Sequence, residues 1–344
     1  MRELVYKIEE FYQKHKLVVL LGVLIVLALL PFVFTKSYIL GVFCRMLLYA
    51  TLAGSLNAIN GYSGQTCIGH AGFFCIGAYT EAILATRLGV PFWVALVAGG
   101  VVTAVFGGLV ALPTLKMKGV YLSIVTLGFS EIVRLVALNW EPVTGGPMGI
   151  KGIPVPTFFG MEFSGSRTYY YIFLFIAVLF LFITNRIIKS RMGRAWVSIR
   201  EDELAAKSLG VQTSRYKAVN FMYGAFWAGI AGAAYAPYVR FIDSTMFSLD
   251  EGFSILSMVI VGGQGTLIGP VIGSAIINGM TEFLRPIGQW RMVAYGLLII
   301  VMMWWRPQGL VGASDSILAG NKANKSLPRN RRKGDQNERF VRST

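Results

Sequence analysis

The sequence is poor in charged residues for its length. Only 14% of its 344 residues are Asp, Glu, Lys or Arg, whereas 55% are hydrophobic. A soluble domain of ordinary composition has about 25% charged residues. Together with a mean hydropathy of +0.59, this scarcity of charge excludes an ordinary soluble globular protein and points to a chain that lies largely within lipid.

Several catalytic and ligand-binding motifs are also missing. The sequence has no G-x-x-x-x-G-K-[ST], no H-E-x-x-H and no G-x-S-x-G, which excludes nucleotide hydrolysis through a P-loop and two common hydrolase sites. The segment 262–273, GGQGTLIGPVIG, lacks the G-x-G-x-x-G spacing of a dinucleotide loop. Cys44, Cys67 and Cys75 show no metal-ligand spacing, so we expect no metal site and interpret these cysteines as small packing residues.

Long apolar runs make up most of what is present. Spanning the hydrocarbon core takes about 20 apolar residues in a helix, and within lipid only helices or closed barrels satisfy the backbone. The runs do not alternate as barrel strands would, so the sequence predicts an all-α polytopic membrane protein. We expect eight to ten transmembrane helices, because the segment 251–261 is short enough to be re-entrant. The ten candidate segments are 17–34, 39–59, 67–87, 92–112, 119–138, 168–188, 216–238, 251–261, 267–284 and 291–305.

The uneven distribution of Lys and Arg predicts the orientation of the chain. With a cytoplasmic N-terminus and alternating segments, 23 Lys and Arg residues fall in cytoplasmic parts and 7 in external parts. We therefore expect both termini to be cytoplasmic. The expected parts are a head at 1–16, a transmembrane domain at 17–305 with an external loop at 139–167 and a cytoplasmic loop at 186–218, and a tail at 306–344. The tail is basic and polar, which predicts disorder and attraction to lipid, and no nucleic-acid-binding module accompanies it.

One polar, glycine-rich stretch interrupts the apolar runs at residues 60–80, NGYSGQTCIGHAGFFCIGAYT. One interpretation is close helix packing, since Gly69 and Gly72 share a helix face. The other is a broken helix beside a translocation path, with Gln65 and His70 facing a wet interior, because unwound backbone at membrane depth is tolerated only within protein or beside a cavity. The two interpretations are compatible. They concern the same candidate residues: Asn57, Asn60, Gly61, Gly64, Gln65, Gly69, His70 and Gly72.

Two further patterns lie inside the predicted membrane segments. Gly265, Gly269 and Gly273 are spaced by four, which predicts a ridge of small residues where helices approach closely. Glu131 and Arg134 lie three residues apart on one helix face. They either form an intrahelical ion pair or take part in a solute path or gate, and Glu131 is the one obvious acid at mid-membrane.

The predicted cytoplasmic loop contains a candidate contact for a partner. Its segment 201–210, EDELAAKSLG, combines acids at the start, good helix formers and a glycine at the end, which predicts a short helix. The small side chains of Ala205 and Ala206 would leave this helix open to a partner. A solvated connecting helix without a partner fits the same spacing.

These motifs together resemble the M-type permease subunits of branched-chain amino-acid ABC importers. The stretches that carry the resemblance are LNAINGYSGQTCIGHAGFFCIGAYT, KGVYLSIVTLGFSEIVRLV with NWEPVTGGPMGIKGI, IREDELAAKSLGVQTSRYK and VGGQGTLIGPVIGSAII. The resemblance runs from about residue 39 to 311. In it, the loop segment is similar to the E-A-A-x-x-x-G coupling motif of ABC permeases. Ala205, Ala206 and Gly210 occupy motif positions, Leu204 stands at the position of the Glu, and Glu203 lies one residue early.

The resemblance implies a multi-pass subunit of a bacterial or archaeal cytoplasmic membrane that is not itself an enzyme. The implied partners are a second, homologous permease of the H type, two cytoplasmic ATPases that bind ATP and Mg²⁺, and an extracytoplasmic solute-binding protein. It implies no cofactor in this chain. Relatives handle branched-chain amino acids, other amino acids, and urea or short amides. The alternatives are an ion-coupled secondary transporter, which would need its own ion site, and a membrane enzyme, for which the sequence offers no catalytic cluster.

Overall fold

In the part of the chain that the structure describes, the long apolar runs form helices whose bounds follow the predicted segments to within a few residues. The structure is a computed structural model that describes residues 16–34, 36–115, 117, 119–158, 161–162 and 165–284, together with 290, 293, 296–297, 300–301, 304 and 309–311. The first half contains α1 (Lys16–Val33), α2 (Ser37–Asn57), a π-helical turn (Ala58–Tyr62), α3 (His70–Leu88), α4 (Phe92–Thr114) and α5 (Val120–Asn139). The second half contains α6 (Glu141–Thr144), α7 (Ser166–Lys189), α8 (Arg191–Glu201), α9 (Glu203–Ser208), α10 (Thr213–Val239), α11 (Leu249–Gly262) and α12 (Gly269–Phe283).

The helices confirm an α-helical membrane protein. Four described helical segments are long and apolar enough to cross a membrane by length and composition: Ser37–Tyr62, Phe92–Thr114, Val120–Asn139 and Ser166–Lys189. Helices α3 and α10 have 19 and 27 residues. Helices α11 and α12, of 14 and 15 residues, are shorter than the roughly 20 residues that a crossing takes. The total of eight to ten crossings therefore stays a prediction, and most of the segment 291–305 and all but the last residue of the head 1–16 lie outside the described residues.

The core forms around α10, which is lined with small residues. A Cβ added at Gly77 of α3 would lie 2.2 Å from the carbonyl oxygen of Gly229 on α10, and one at Gly107 of α4 would lie 2.5 Å from the Cβ of Ala225. Helix α10 therefore meets α3 and α4 almost backbone to backbone, which only small residues permit. On another side α2 packs against α7 and α12. The three cysteines are buried and free, as expected of packing residues.

Four short strands among the described residues add β structure that the sequence did not predict. They are β1 (Ile150–Lys151), β2 (Thr157–Phe158), β3 (Met161–Glu162) and β4 (Phe241–Ile242), with antiparallel pairing of β1 with β4 and of β2 with β3. The β1–β4 ladder joins the 139–167 loop to the segment that follows α10. At the same end of the bundle, the Arg87 guanidinium at the end of α3 donates to the carbonyl oxygen of Val143, at 2.7 Å.

Residues 309–311, at the start of the predicted tail, are bonded to the end of α11. The backbone N–H of Leu310 donates to the carbonyl oxygen of Val261, and that of Val311 donates to Gly262, both at 3.0 Å. The prediction of disorder from residue 306 is therefore wrong for these three residues. Residues 312–344 lie outside the described part of the chain.

Candidate functional site

The polar, glycine-rich stretch is a break between two helices, as one interpretation of the sequence predicts. Helix α2 passes into the π-helical turn, and residues 64–68 are non-helical before α3 begins at His70. The Asn60 side chain holds this segment, since its Oδ1 accepts from the N–H of Cys67 at 2.9 Å and its Nδ2 donates to the Cys67 carbonyl at 3.1 Å. Gly64 has φ +68°, a left-handed conformation that glycine adopts without steric cost.

Two glycines beside the break bring α3 against α5. A Cβ added at Gly69 would lie 1.7 Å from the carbonyl oxygen of Thr126, and one at Gly72 would lie 2.8 Å from the Cα of Ser130. Because real Cβ atoms do not approach other heavy atoms this closely, glycine is required for the observed spacing. The close-packing interpretation is therefore confirmed for Gly69 and Gly72, and it holds together with the broken helix.

The prediction that Gln65 and His70 face a wet interior is wrong, because both side chains are buried and bonded within the protein. The Gln65 amide donates to the Ser63 hydroxyl at 2.7 Å and to the carbonyl of Lys217 at 3.4 Å. Nε2 of His70 lies 2.7 Å from the Ser55 hydroxyl. The polarity of the break therefore serves to tie non-helical backbone to the surrounding helices.

A second break, between α11 and α12, meets the first. Oδ1 of Asn57 accepts from the N–H of Gly265, and Nδ2 donates to the carbonyl of Thr266, both at 2.8 Å. A Cβ added at Gly61 would lie 2.3 Å from the backbone nitrogen of Gly265. The single Asn57 side chain thus joins the last residue of α2 to the turn that precedes α12.

The predicted ridge of Gly265, Gly269 and Gly273 is wrong in part. Gly265 lies in the turn before α12, with φ +75°, and therefore cannot continue a helical ridge. Gly273 does permit close packing, since a Cβ there would lie 1.9 Å from the carbonyl oxygen of Met258 on α11. At Gly269, the first residue of α12, a Cβ would meet the Thr266 hydroxyl at 2.2 Å.

The 190–212 loop contains two helices, α8 and α9, of which the sequence predicted only the second. The Asp202 carboxylate caps α9 by accepting from the N–H groups of Leu204 and Ala205 at 2.8 and 3.1 Å. At the other end, the N–H of Val211 donates to Ala206 and that of Gly210 to Lys207, which is the Schellman pattern. Gly210 has φ +85°, so its predicted role in ending the helix is confirmed.

Exposure on α9 differs from the prediction at one position. Ala205 is exposed, but Ala206 is only 2% exposed and packs within this chain, so Ala206 is not open to a partner. The outward surface instead carries two large apolar side chains, Leu204 at 71% exposed and Leu209 at 85%. Beside them, a cleft of about 860 Å³ between α8 and the start of α10 is lined in part by Arg191, Arg194 and Arg215.

Arg200 of α8 connects this loop to both breaks, a role that the sequence did not reveal. Its Nη1 donates to the carbonyl oxygen of Gly61 at 2.8 Å. The same Nη1 would lie 2.8 Å from a Cβ at Gly265, and the Arg200 Cγ would lie 2.9 Å from one at Gly64. Glycine at both positions therefore makes room for the Arg200 side chain.

A second connection runs through Lys217, at the start of α10. Its ammonium group donates to Oε1 of Glu203 on α9 at 2.5 Å, and its backbone carbonyl accepts from the Gln65 amide. Lys217 is buried, so this ion pair is shielded from solvent more than a surface pair would be. The sequence analysis singled out Glu203, whereas Lys217 entered it only as one of the basic residues counted in the predicted cytoplasmic loop 186–218.

Glu131 and Arg134 form the intrahelical ion pair that the sequence offered as one alternative. Nε of Arg134 donates to both carboxylate oxygens of Glu131 at 3.0 Å. Glu81 in α3, Glu251 in α11 and Glu282 in α12 are further acids in described helices. Glu81 is fully buried, and both of its carboxylate oxygens lack a hydrogen-bond partner among the described residues.

Comparison with known proteins gives consistent matches over most of the chain. The family described as "Branched-chain amino acid transport system / permease component" matches residues 38–303. Two similar relatives are the proteins named high-affinity branched-chain amino acid transport system permease protein LivM from Salmonella typhimurium and Escherichia coli K12. Each is 36% identical over 315 residues, which cover 85% of this chain and 74% of the relative.

A more distant relative is archaeal. The protein named probable branched-chain amino acid transport permease protein LivM from Methanocaldococcus jannaschii is 26% identical over 233 residues, covering 63% of this chain and 67% of the relative. No solved structure matches the chain.

Proposed function

The chain belongs to the family of branched-chain amino acid transport system permease components, and from this premise we propose that it is one membrane subunit of an ABC importer for branched-chain amino acids. Relatives that are 36% identical over 85% of the chain carry branched-chain permease names, which favours this substrate class over urea or short amides. The same relatives favour an ABC importer over an ion-coupled secondary transporter. The setting is a bacterial or archaeal cytoplasmic membrane, with both termini on the cytoplasmic side.

The partners follow from what this chain lacks and what it exposes. The sequence has no P-loop, so ATP and Mg²⁺ belong to separate ATPase subunits. A second, homologous permease would complete the membrane unit, and an extracytoplasmic binding protein would deliver the solute. We assign the exposed Leu204, Ala205 and Leu209 surface, with the neighbouring arginine-lined cleft, to the contact with an ATPase. Burying each leucine there would contribute about 1.5–3 kcal/mol.

The observation that carries the proposal is the contact between Arg200 and Gly61. An importer has to pass motion from soluble ATPases into its membrane helices, and a rigid loop can do this only if it is attached to the part that moves. Arg200 attaches α8 to the helix break, and the Glu203–Lys217 pair attaches α9 to α10 beside the same break. A hydrogen bond to a charged group contributes about 1.5–3 kcal/mol, enough to move loop and break together.

The breaks provide the places where the membrane helices can change direction. Residues 64–68 and the turn at 263–268 carry few internal helical hydrogen bonds and are held instead by the Asn57 and Asn60 side chains. When the ATPases close on ATP and pull the loop, Arg200 carries the displacement to both turns. The helices α2, α3 and α12 that begin or end there would then tilt, opening the path to one side of the membrane at a time.

Reconstitution tests the proposal. The complete complex, consisting of this chain, its partner permease, the two ATPases and the binding protein, is placed in proteoliposomes, and uptake of radiolabelled leucine is measured. We expect uptake that requires ATP and the binding protein and that stops when the ATPase catalytic glutamate is replaced. Leucine flux through the purified chain alone, driven by an ion gradient, would contradict the proposal, as would a complete complex that takes up urea but no leucine.

A further inference from the structure

A second ion pair joins two different helices, α2 and α12, and is open on one side. Nη2 of Arg45 on α2 lies 2.9 Å from Oε2 of Glu282 on α12. The Arg45 side chain is 46% exposed and that of Glu282 is 19% exposed. The pair therefore lies at the surface of the described bundle rather than inside it.

The depth of this pair follows from α2. Arg45 is the ninth residue of the segment Ser37–Tyr62, which has 26 residues and is long and apolar enough to cross a membrane. At 1.5 Å per residue, Arg45 lies about 12 Å from the start of this segment and about 26 Å from its end. The hydrocarbon core is about 30 Å thick, so Arg45 falls within the part of the candidate span that would cross it, and Glu282 lies beside Arg45 at the same depth.

Charged side chains at this depth do not face lipid. They face the interior of a bundle or a water-filled cavity, and Arg45 is too exposed to face the interior of this chain. The Glu131–Arg134 pair differs, because both charges belong to one helix and neutralise each other whatever the neighbouring helices do. The Arg45–Glu282 pair, in contrast, opens when α2 and α12 separate.

We propose that Arg45 and Glu282 line the solute path and bind the two charges of a zwitterionic amino acid. The Arg45 guanidinium would bind the α-carboxylate and the Glu282 carboxylate would bind the α-ammonium group, so the ion pair between the two side chains is replaced by two ion pairs with the solute. A guanidinium fork matches a carboxylate in geometry. This inference rests on the proposed function and specifies the solute contacts that the importer uses.

A neighbouring group extends the polar surface. Asn278 lies one turn from Glu282 on α12 and donates to the carbonyl of Ser274 at 2.8 Å. The path-facing surface thus combines a cation, a carboxylate and an amide on two helices, which suits a small zwitterion better than an apolar solute.

The same two helices receive the motion of the 190–212 loop. Asn57 ties the end of α2 to the start of α12, and Arg200 lies against Gly61 and Gly265 at that junction. A displacement there would change the distance between α2 and α12 at Arg45 and Glu282. ATP-driven motion would in this way open the ion pair to admit the solute and close it to release the solute.

Arg45→Gln and Glu282→Gln, tested in the complete reconstituted complex, probe this assignment. We expect leucine uptake per ATP hydrolysed to fall ten-fold or more, while assembly and binding-protein-stimulated ATP hydrolysis stay within two-fold of wild type. Arg45→Lys keeps the charge but loses the planar guanidinium group. Its leucine uptake per ATP hydrolysed should lie between that of wild type and that of Arg45→Gln. The control is Lys36→Gln, a basic residue before the first turn of the same helix, which should change nothing.

Two results would overturn the inference. One is uptake per ATP within two-fold of wild type in both variants. The other is a parallel loss of assembly, hydrolysis and uptake, which would make the pair a structural contact. If the wild-type complex transports leucine and the variants match it, only this inference fails; if the wild-type complex transports no leucine, the proposed function fails first.

Discussion

The guanidinium of Arg200 donates a 2.8 Å hydrogen bond to the carbonyl oxygen of Gly61, a residue 139 positions away in the chain. This contact joins a solvent-facing loop to a break in a membrane helix. The loop is rich in charge, and the break is rich in glycine. In the proposed function, the two regions together transmit motion from the loop to the membrane helices.

Replacing Gly69 by Ala should destabilise the protein, whereas replacing Gly128 should not. A Cβ at Gly69 would lie 1.7 Å from the carbonyl oxygen of Thr126, while one at Gly128 of α5 meets nothing within 4 Å. Overpacking of this kind costs about 1–3 kcal/mol. Thermal unfolding of the purified chain in detergent measures the difference, and equal melting temperatures for both variants would contradict the packing described for α3 and α5.

Replacing Leu204 and Leu209 together by Asp should weaken ATPase docking at least ten-fold. Both side chains are exposed in the described chain, so the permease itself should fold and accumulate normally. Co-purification of the ATPase with the tagged permease is the measurement, and Ser214→Asp, an exposed position on the first turn of α10, is the control. Unchanged co-purification of the double variant would assign the ATPase contact to another surface.

Glu203 and Lys217 should show coupled effects on stability. Removing one member of a buried ion pair leaves the other charge without its counterpart, so Glu203→Gln and Lys217→Met should each destabilise the loop. The double variant should lose less than the sum of the two, with a coupling of about 0.5–3 kcal/mol. Thermal unfolding of the four proteins of this cycle gives the value. Strict additivity would mean that the pair does not hold α9 to α10.

Cysteines introduced at opposite ends of the bundle should report the orientation. Met148→Cys lies in the predicted external loop, and Ser208→Cys lies on α9. Because the native cysteines are buried, an impermeant thiol reagent should label only the introduced positions in intact cells. We expect Met148→Cys to react directly and Ser208→Cys to react only after permeabilisation. The opposite pattern would remove α9 from the ATPase side of the membrane.

The helices and their ends could be predicted because their causes are local. Apolar runs fix the bounds of α2 to α5. Asp202 caps the start of α9 and Gly210 ends it, in both cases through hydrogen bonds within a few residues. Three things that depend on distant parts of the chain could not be predicted. Ala206 is buried because α8 and α10 pack around α9, and Gly265 leaves its apparent helical spacing because Asn57 holds a turn there. The role of Arg200 requires Gly61 to lie beside it.

The most direct test of the coupling route is the amount of leucine taken up per ATP hydrolysed when Arg200 is replaced by Ala in the complete importer. The side chain contributes a charged hydrogen bond worth about 1.5–3 kcal/mol, so the ratio should fall about ten-fold or more while ATPase docking and permease abundance are retained. Lys189→Ala, an exposed basic residue at the end of α7, is the control and should leave the ratio unchanged. A ratio in Arg200→Ala equal to that of wild type, at equal abundance and docking, would contradict the claim that this contact carries the motion of the loop into the membrane.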